Sequence, residues 1–302
     1  MFYQEAEKFI NEVFWKETHD PRSKLNIAEL VNAKLVKDNN EKDPDYFQKR
    51  IGVVHASQIY SCLRGVIHSC LRHTPDKEPE PRKLGIFKAG LLFEDFIIDS
   101  LGERVIGRQR EYKFRYKNIT LVGRSDYRID DGGIIRIGEN KSVHSDSFWY
   151  RQREGTLIQW HNQIQLQIYM WLERVLFDEK VEGIFSYISK DDCMVESAPV
   201  KFNQRVIDEI VIPALDIINE GFEKQDPNIA PLPEIAIYSE SREQYQKNWL
   251  CTYCDYHNQC TGAGWLLEAG ELVARKNKEI KQGLKDSVGH ITKKSKSEIH
   301  PV

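Results

Sequence analysis

The chain has little of three things. Its apolar runs are short, a few residues at most, as at Leu91, Leu92 and Phe93. A membrane-spanning helix needs roughly 20, so no such span is expected. Charge of one sign is also scarce: 43 Lys and Arg against 46 Asp and Glu leave a net charge of −3 over 302 residues. That balance excludes a uniformly basic coat for nucleic acid and confines any such binding to a local patch. The third scarcity is at the start, where Met1 to Lys16 are charged throughout and lack the apolar stretch and small-residue cleavage site of a leader peptide. The expected compartment is the cytoplasm, where the six cysteines stay reduced and any cluster of them reads as a ligand set ahead of disulfides.

What is present is a globular composition, 40% hydrophobic and 29% charged, with a length that suits one large domain with appendages. Residues 1-54 read as a charged helical extension, broken at Asp20-Pro21 and near Asn39-Asn40. An amphipathic helix is expected over Ala56 to Arg72, then a connection enforced by Pro75, Pro79 and Pro81. A helix restarts near Leu84, with Leu91, Leu92, Phe96, Ile97 and Leu101 at helical spacing. The period then changes: Tyr112 to Tyr116, Thr120 to Ile129 and Ile134 to Glu139 read as a three-stranded meander, with turn signals at Lys117-Asn118 and Asp130 to Gly133. A long helix over Thr156 to Phe177, strands over Gly183 to Ser189 and Met194 to Phe202, and a helix over Gln204 to Glu223 complete an α/β core of order αβββαβ. Residues 55-264 form this core, and residues 265-302 a basic tail running from Arg275 to Lys296. No internal repeat is found.

Within the core, the second strand ends in Gly123-Arg-Ser-Asp126-Tyr and the third runs Ile134-Ile-Arg-Ile-Gly-Glu139-Asn-Lys141. Pairing across the Gly132-Gly133 turn would bring Asp126 and Glu139 together at one end of the sheet, as hard Mg²⁺ or Mn²⁺ ions require of oxygen ligands. Glu139 and Lys141, two apart on a strand, share a face, which sets an ammonium beside the metal to hold or deprotonate a water. The competing reading is a turn-capping Asp and an exposed ion pair of little consequence.

An Asp followed across a hairpin by Glu-x-Lys resembles the signature of the PD-(D/E)XK nucleases, and two further segments resemble the motifs of their RecB-like branch. Gly90-Leu-Leu-Phe-Glu94 is similar to the first motif, which usually carries His four residues after the Gly; Glu94 stands there, and a carboxylate can ligate a metal as His does. Gln165-Leu-Gln-Ile-Tyr169 is similar to the Q-x-x-x-Y motif, its two polar groups on one helical face. The resemblance implies a restriction-endonuclease-like fold and Mg²⁺ or Mn²⁺ held by Glu94, Asp126, Glu139 and the backbone carbonyl of Asn140. It makes Lys141 the group that orients water, and Gln165 and Tyr169 the groups that position substrate phosphates and catalytic side chains.

Near the other end stands Cys251-Thr-Tyr-Cys254-Asp-Tyr-His-Asn-Gln-Cys260. Three close thiolates lack a fourth ligand. Zinc could take His257; an iron-sulfur cluster would take the distant Cys62. The iron-sulfur CRISPR-associated exonucleases and AddB-type nuclease domains place one Cys before the nuclease motifs and such a triad after them, and Ser57-Gln-Ile-Tyr-Ser-Cys62-Leu-Arg resembles their first-Cys segment. The resemblance therefore implies a [4Fe-4S] cluster on Cys62, Cys251, Cys254 and Cys260, clamping both ends of the core. Cys70 and Cys193 match nothing.

For partners, Arg104, Arg108, Arg110, Lys113, Arg115 and Lys117 form a basic stretch that could neutralise phosphates. The segment from His144 to His161 interleaves Trp149, Tyr150 and Trp160 with Arg151 and Arg153, a mixture suited to a single strand. Solvated arginines and core aromatics explain either segment equally well. The expectation is a metal-dependent deoxyribonuclease, an exonuclease on single-stranded DNA or duplex ends, working with CRISPR integrase proteins or a helicase. The alternative is a nuclease-like module that binds DNA or protein without catalysis, with a structural iron-sulfur or zinc site.

Overall fold

A computed structural model of the chain describes residues 27–41, 50–75, 80–155, 158–234, 236–239, 243–252, 254–261, 268–280 and 282. The chain divides into two compact units, one of residues 1–42 with 79–87 and one of residues 43–78 with 88–302. In the first, helix α1 (Ile27–Asn40) ends at the Asn39-Asn40 pair that the sequence marks as a break. The break expected at Asp20-Pro21 lies outside the described residues, as does most of the basic tail, of which residues 268–280 are helical.

The second unit opens with β1 (Val53–His55), a 3₁₀ turn at Ala56–Gln58 and helix α2 (Leu63–Cys70). The single helix expected over Ala56 to Arg72 is thus divided. Gln58 Oε1 accepts the His55 backbone N–H (2.9 Å) and Ser61 Oγ donates to the Gln58 carbonyl (2.7 Å), local bonds that compete with a continuous helix. Of helix α3 (Pro81–Leu101), the part from Lys88 on belongs to this unit and buries Ile97 and Ile98 against Tyr127, Ile129 and Ile188. Leu91, Leu92 and Phe96, which share the helical spacing with Ile97, are 43%, 62% and 52% exposed.

Strands β2 (Val105–Arg108), β3 (Glu111–Tyr116), β4 (Ile119–Arg124), β5 (Tyr127–Asp131) and β6 (Ile134–Val143) follow. The three-stranded meander is corrected here. Thr120 to Ile129 is two strands broken at Ser125-Asp126, and the chain passes there from one sheet to another: β1, β4 and β3 form a three-stranded sheet, whereas β5 and β6 belong to a five-stranded one. The break is enforced by hydrogen bonding, since Ser125 N–H donates to the Arg110 carbonyl (3.1 Å) and Asp126 N–H to the Gly138 carbonyl (3.2 Å).

Helix α4 (Ser145–Arg153) ends before Gly155, which has φ +64°, so the next helix, α5 (Trp160–Phe177), starts later than the expected Thr156. Helix α5 is the crossover between β6 and the parallel β7 (Glu182–Ser189), and is buried on nearly every side, as befits a helix between layers. With β8 (Val195–Val200) the sheet order is β2-β5-β6-β7-β8. The αβββαβ order therefore holds for α3, β2, β5, β6, α5 and β7, with the β3–β4 hairpin inserted after the first strand. The helix expected over Gln204 to Glu223 runs from Gln204–Val206 through a π-helical turn at Ile207–Val211 into α6 (Ile212–Lys224). Pro213 lacks the N–H that a regular turn would use there. A hairpin of β9 (Ala236–Ser239) and β10 (Gln244–Lys247) and short helices α7 (Trp249–Thr252) and α8 (His257–Thr261) complete the described fold. Among the described residues no helix is long and apolar enough to cross a membrane.

Candidate functional site

Strand β5 pairs antiparallel with β6, Tyr127 opposite Gly138 and Asp131 opposite Ile134, and this register brings Asp126 beside Glu139. The Asn140 N–H donates to Asp126 Oδ2 at 2.6 Å. Gly138 is required at this crossing: a Cβ there would lie 2.1 Å from the Tyr127 ring, which is pinned by a 2.7 Å bond between its hydroxyl and Ser186 Oγ. Strand alternation sets Glu139 and Lys141 on one face, with Lys141 Nζ 2.5 Å from Glu139 Oε1.

Glu139 is 3% exposed. Its Oε1 takes Lys141 and Gln165, while Oε2 is buried without a hydrogen-bond partner among the described residues. Burial pushes the Asp126 carboxyl well above the ordinary carboxylate range, and the charges of Glu139 and Glu94 push it further, against the pull of the Asn140 N–H and Lys141. Glu139 is raised too, first by burial, with Lys141 opposing and Glu94 adding. For Lys141 burial alone would lower the pKa, but Glu139 and then Asp126 outweigh it and the net shift is upward. Mutually repelling carboxylates with an orphaned inner oxygen are what a hard divalent cation would satisfy.

Glu94, half-buried on α3, accepts from Gln109 Nε2 (3.0 Å); its charge is felt at both other carboxylates. Asn140 alternates to the opposite face of β6, where its side-chain amide is buried and has no hydrogen-bond partner among the described residues. Gln165, on α5, reaches across to the cluster: its Nε2 donates to Glu139 Oε1 (2.8 Å) and Tyr169 Oη (2.9 Å), and its Oε1 accepts from Lys141 (3.3 Å). Tyr169, one helical turn on, is stacked on Tyr112 at 5.4 Å. Gln165 and Tyr169 are 6% and 3% exposed, so both face the carboxylate and ammonium from inside the protein.

Three neighbours escaped the sequence reading. Tyr60 and His161 have rings 4.9 Å apart; burial raises the Tyr60 pKa and lowers that of His161, and the Lys141 charge opposes the first shift and adds to the second. No sequence signal joins residues so far apart. Glu173 is different, since it continues the Gln165–Tyr169 spacing by one more turn of α5. It is fully buried, accepts from Tyr112 Oη (2.7 Å), and pairs with Arg110 (3.3 Å) and Arg128 (3.8 Å).

At the other motif, Cys62 caps the start of α2, and Cys251, Cys254 and Cys260 come from α7, α8 and the link between them. The segments meet: Gly65 packs on Cys254 Sγ, Arg64 Nη1 is 4.0 Å from Cys260 Sγ, and His68 stacks on Tyr256 at 5.3 Å. Burial pushes the Cys251 thiol up to about 12 and Cys254 up to about 11, each raised further by Cys62 and Cys260. The Cys62 thiol is raised by burial against the pull of the Gly65 and Arg64 N–H groups. His257 turns Nδ1 to the Cys254 carbonyl (3.1 Å). Cys70 is buried and donates to the Val53 carbonyl (3.4 Å); Cys193 is exposed. Among the described residues no group of three or more His, Cys, Asp or Glu side chains is gathered closely enough to hold a metal ion by itself.

No family model and no curated protein matches the chain. Among solved structures it is similar to SSO0001, at 18% identity and a TM-score of 0.44 over 78% of this chain and 96% of that one. It is also similar to LHK-Exo, crystallised in complex with dAMP, at 14% identity and a TM-score of 0.41 over 61% of this chain and 94% of that one.

Proposed function

We propose that the chain is a metal-dependent deoxyribonuclease with a RecB-like PD-(D/E)XK core, acting on single-stranded DNA. One observation carries the reading: Asp126 and Glu139 converge across the β5–β6 pairing, with Lys141 on the same face and Gln165 bonded to both Glu139 and Lys141. Asp126 and Glu139, with Glu94 and the Asn140 carbonyl, would hold Mg²⁺ or Mn²⁺, which when bound polarises a phosphodiester oxygen and acidifies a water. In the hydrolysis a water oxygen bonds to phosphorus, the ester P–O bond breaks, and the departing oxygen takes a proton, leaving phosphate and hydroxyl ends. Lys141 orients that water and stabilises negative charge as it builds on the phosphoryl oxygens. Gln165 keeps carboxylate and ammonium in register, and Tyr169 keeps Gln165 in place. Trp149, Tyr150 and Trp160, 39%, 46% and 60% exposed, offer stacking surfaces for unpaired bases.

In the same reading Cys62, Cys251, Cys254 and Cys260 hold a [4Fe-4S] cluster. The approach of α2 to the cysteine triad supports Cys62 as the fourth ligand. The cluster would join segments distant in sequence and so restrict the unfolded chain.

The test is degradation of an end-labelled single strand by anaerobically purified protein. Cleavage should require Mg²⁺ or Mn²⁺, stop with chelator, and disappear in Asp126→Ala, Glu139→Ala and Lys141→Ala. Unchanged cleavage by any of these variants overturns the assignment. A second reading, a nuclease-like module that binds DNA or protein without cutting, is favoured by the Lys141–Glu139 pair, which occupies an oxygen a metal would use. It predicts DNA binding with no cleavage under any metal.

A further inference from the structure

The cations between residues 104 and 117 look alike in sequence, but the fold sorts them. Arg108 pairs with Asp99 (2.5 Å), Arg110 with Glu173 and Glu179 (3.3 and 3.4 Å), and Lys117 with Asp216 (2.5 Å). Lys113 forms no ion pair with a described residue. Alternation along β3 turns Tyr112 inward and Glu111 and Lys113 outward. The β3–β4 register then sets Arg124 opposite Glu111 on that outer face, and Arg124 likewise has no ion-pair partner among the described residues.

Against this face lies a cavity of about 760 Å³, whose walls include Arg50, Ser57, Lys113, Arg124 and, at the inner side, Tyr169. Glu111 is the carboxylate among its described lining residues, against three Lys or Arg side chains. Tyr169 belongs to both places. Its ring lies against Gly123, where a Cβ would come within 2.5 Å, and its hydroxyl accepts from the Gln165 amide that also holds Glu139. A cavity walled by Lys113 and Arg124, neither with an ion-pair partner among the described residues, and by the Ser57 hydroxyl recognises an anion that is hydrogen-bonded as well as charged. The volume falls within the ~300–1,000 Å³ that accommodates a small-molecule-sized group, which suits a nucleotide better than a lone inorganic ion.

We infer that this cavity is a subsite for the non-scissile part of a single DNA strand, with Lys113 and Arg124 neutralising its phosphodiesters. The identity of the strand as substrate rests on the nuclease reading; the subsite itself rests on the cavity and on Lys113 and Arg124, which have no ion-pair partner among the described residues. An exposed lysine and arginine ordinarily remain solvated, so what distinguishes these two is their place on one cavity wall beside a residue bonded into the site.

The experiment measures binding of a fluorescein-labelled oligothymidylate by anisotropy in chelator, so that no strand is cut. The proteins are the full chain, its Lys113→Glu/Arg124→Glu variant and the milder Lys113→Gln/Arg124→Gln variant, each checked by thermal melting. The charge-reversed protein should bind about tenfold or more weakly. The glutamine variant should flatten the dependence of log K on log salt by about 1.4, since each phosphate contact on a single strand contributes roughly 0.7. Melting should be unchanged, because both positions are exposed. Wild-type affinity and salt slope in either variant overturn the subsite, and do so without touching the nuclease reading if metal-dependent cleavage persists. Weakened binding in both variants, with no cleavage by the wild type under any metal, keeps the subsite and removes the nuclease reading. Absence of DNA binding by the wild type removes both.

Discussion

The side-chain amide of Gln165 donates to Glu139 Oε1 at 2.8 Å, so a crossover helix holds a carboxylate that belongs to the strand before it. The same amide accepts from Lys141 (3.3 Å) and donates to Tyr169 (2.9 Å). The pair at the cluster is therefore oriented from α5 as well as from β6.

Gln165→Leu should accordingly lower kcat by about 10²-fold, the scale of a small misplacement at a reacting centre, with KM for DNA changed much less. Gln165→Glu would set a third carboxyl against Glu139 and should fare no better. A steady-state comparison checks this; a Gln165→Leu protein with kcat near wild type would reduce the residue to packing.

For Glu94 the expectation is weaker metal binding on change to Ala and partial retention on change to His. Its half-buried place on α3 and the influence of its charge on both Asp126 and Glu139 are the grounds for proposing it as a further ligand. Titration calorimetry with Mn²⁺ reads this directly, and unaltered affinity in Glu94→Ala would return the residue to a solvated helix face.

Glu173 makes a claim about stability rather than chemistry. It is fully buried and joined to Tyr112, Arg110 and Arg128, so Glu173→Ala leaves cations without their inner partner and should cost about 3–5 kcal/mol. Glu173→Gln, which can still accept from Tyr112, should lose less. Denaturant unfolding of both variants measures the difference, and a loss in Glu173→Ala under about 1 kcal/mol, the worth of an exposed pair, would contradict it.

The cysteines give a colour test. Anaerobically purified protein should be brown with about four irons per chain. Cys62→Ser should lose iron and melt lower, whereas Cys193→Ser and His257→Ala should keep their iron. Zinc without iron, retained in Cys62→Ser and lost in His257→Ala, would establish a local zinc site in place of the cluster.

Much of the candidate site was legible in the chain because it depends on short-range periodicity. The two-residue strand repeat puts Glu139 with Lys141, the four-residue helical spacing puts Gln165 with Tyr169, and a Gly-Gly turn pairs β6, which carries Glu139, with the strand that Asp126 immediately precedes. The same regularities located the crossover helix and its flanking strands. They could not reveal that Thr120 to Ile129 is two strands in two sheets. That break arises from hydrogen bonds at Ser125 and Asp126 to the carbonyls of Arg110 and Gly138, one in the link before β3 and the other on β6. Nor could they separate Arg108, Arg110 and Lys117 from Lys113, because a cation's partner is chosen by which carboxylate the fold brings within reach: Asp99, Glu173 and Glu179, or Asp216. Local spacing determined which side chains share a face; only the tertiary structure decided what that face meets, since pairing and burial are set by segments remote along the chain.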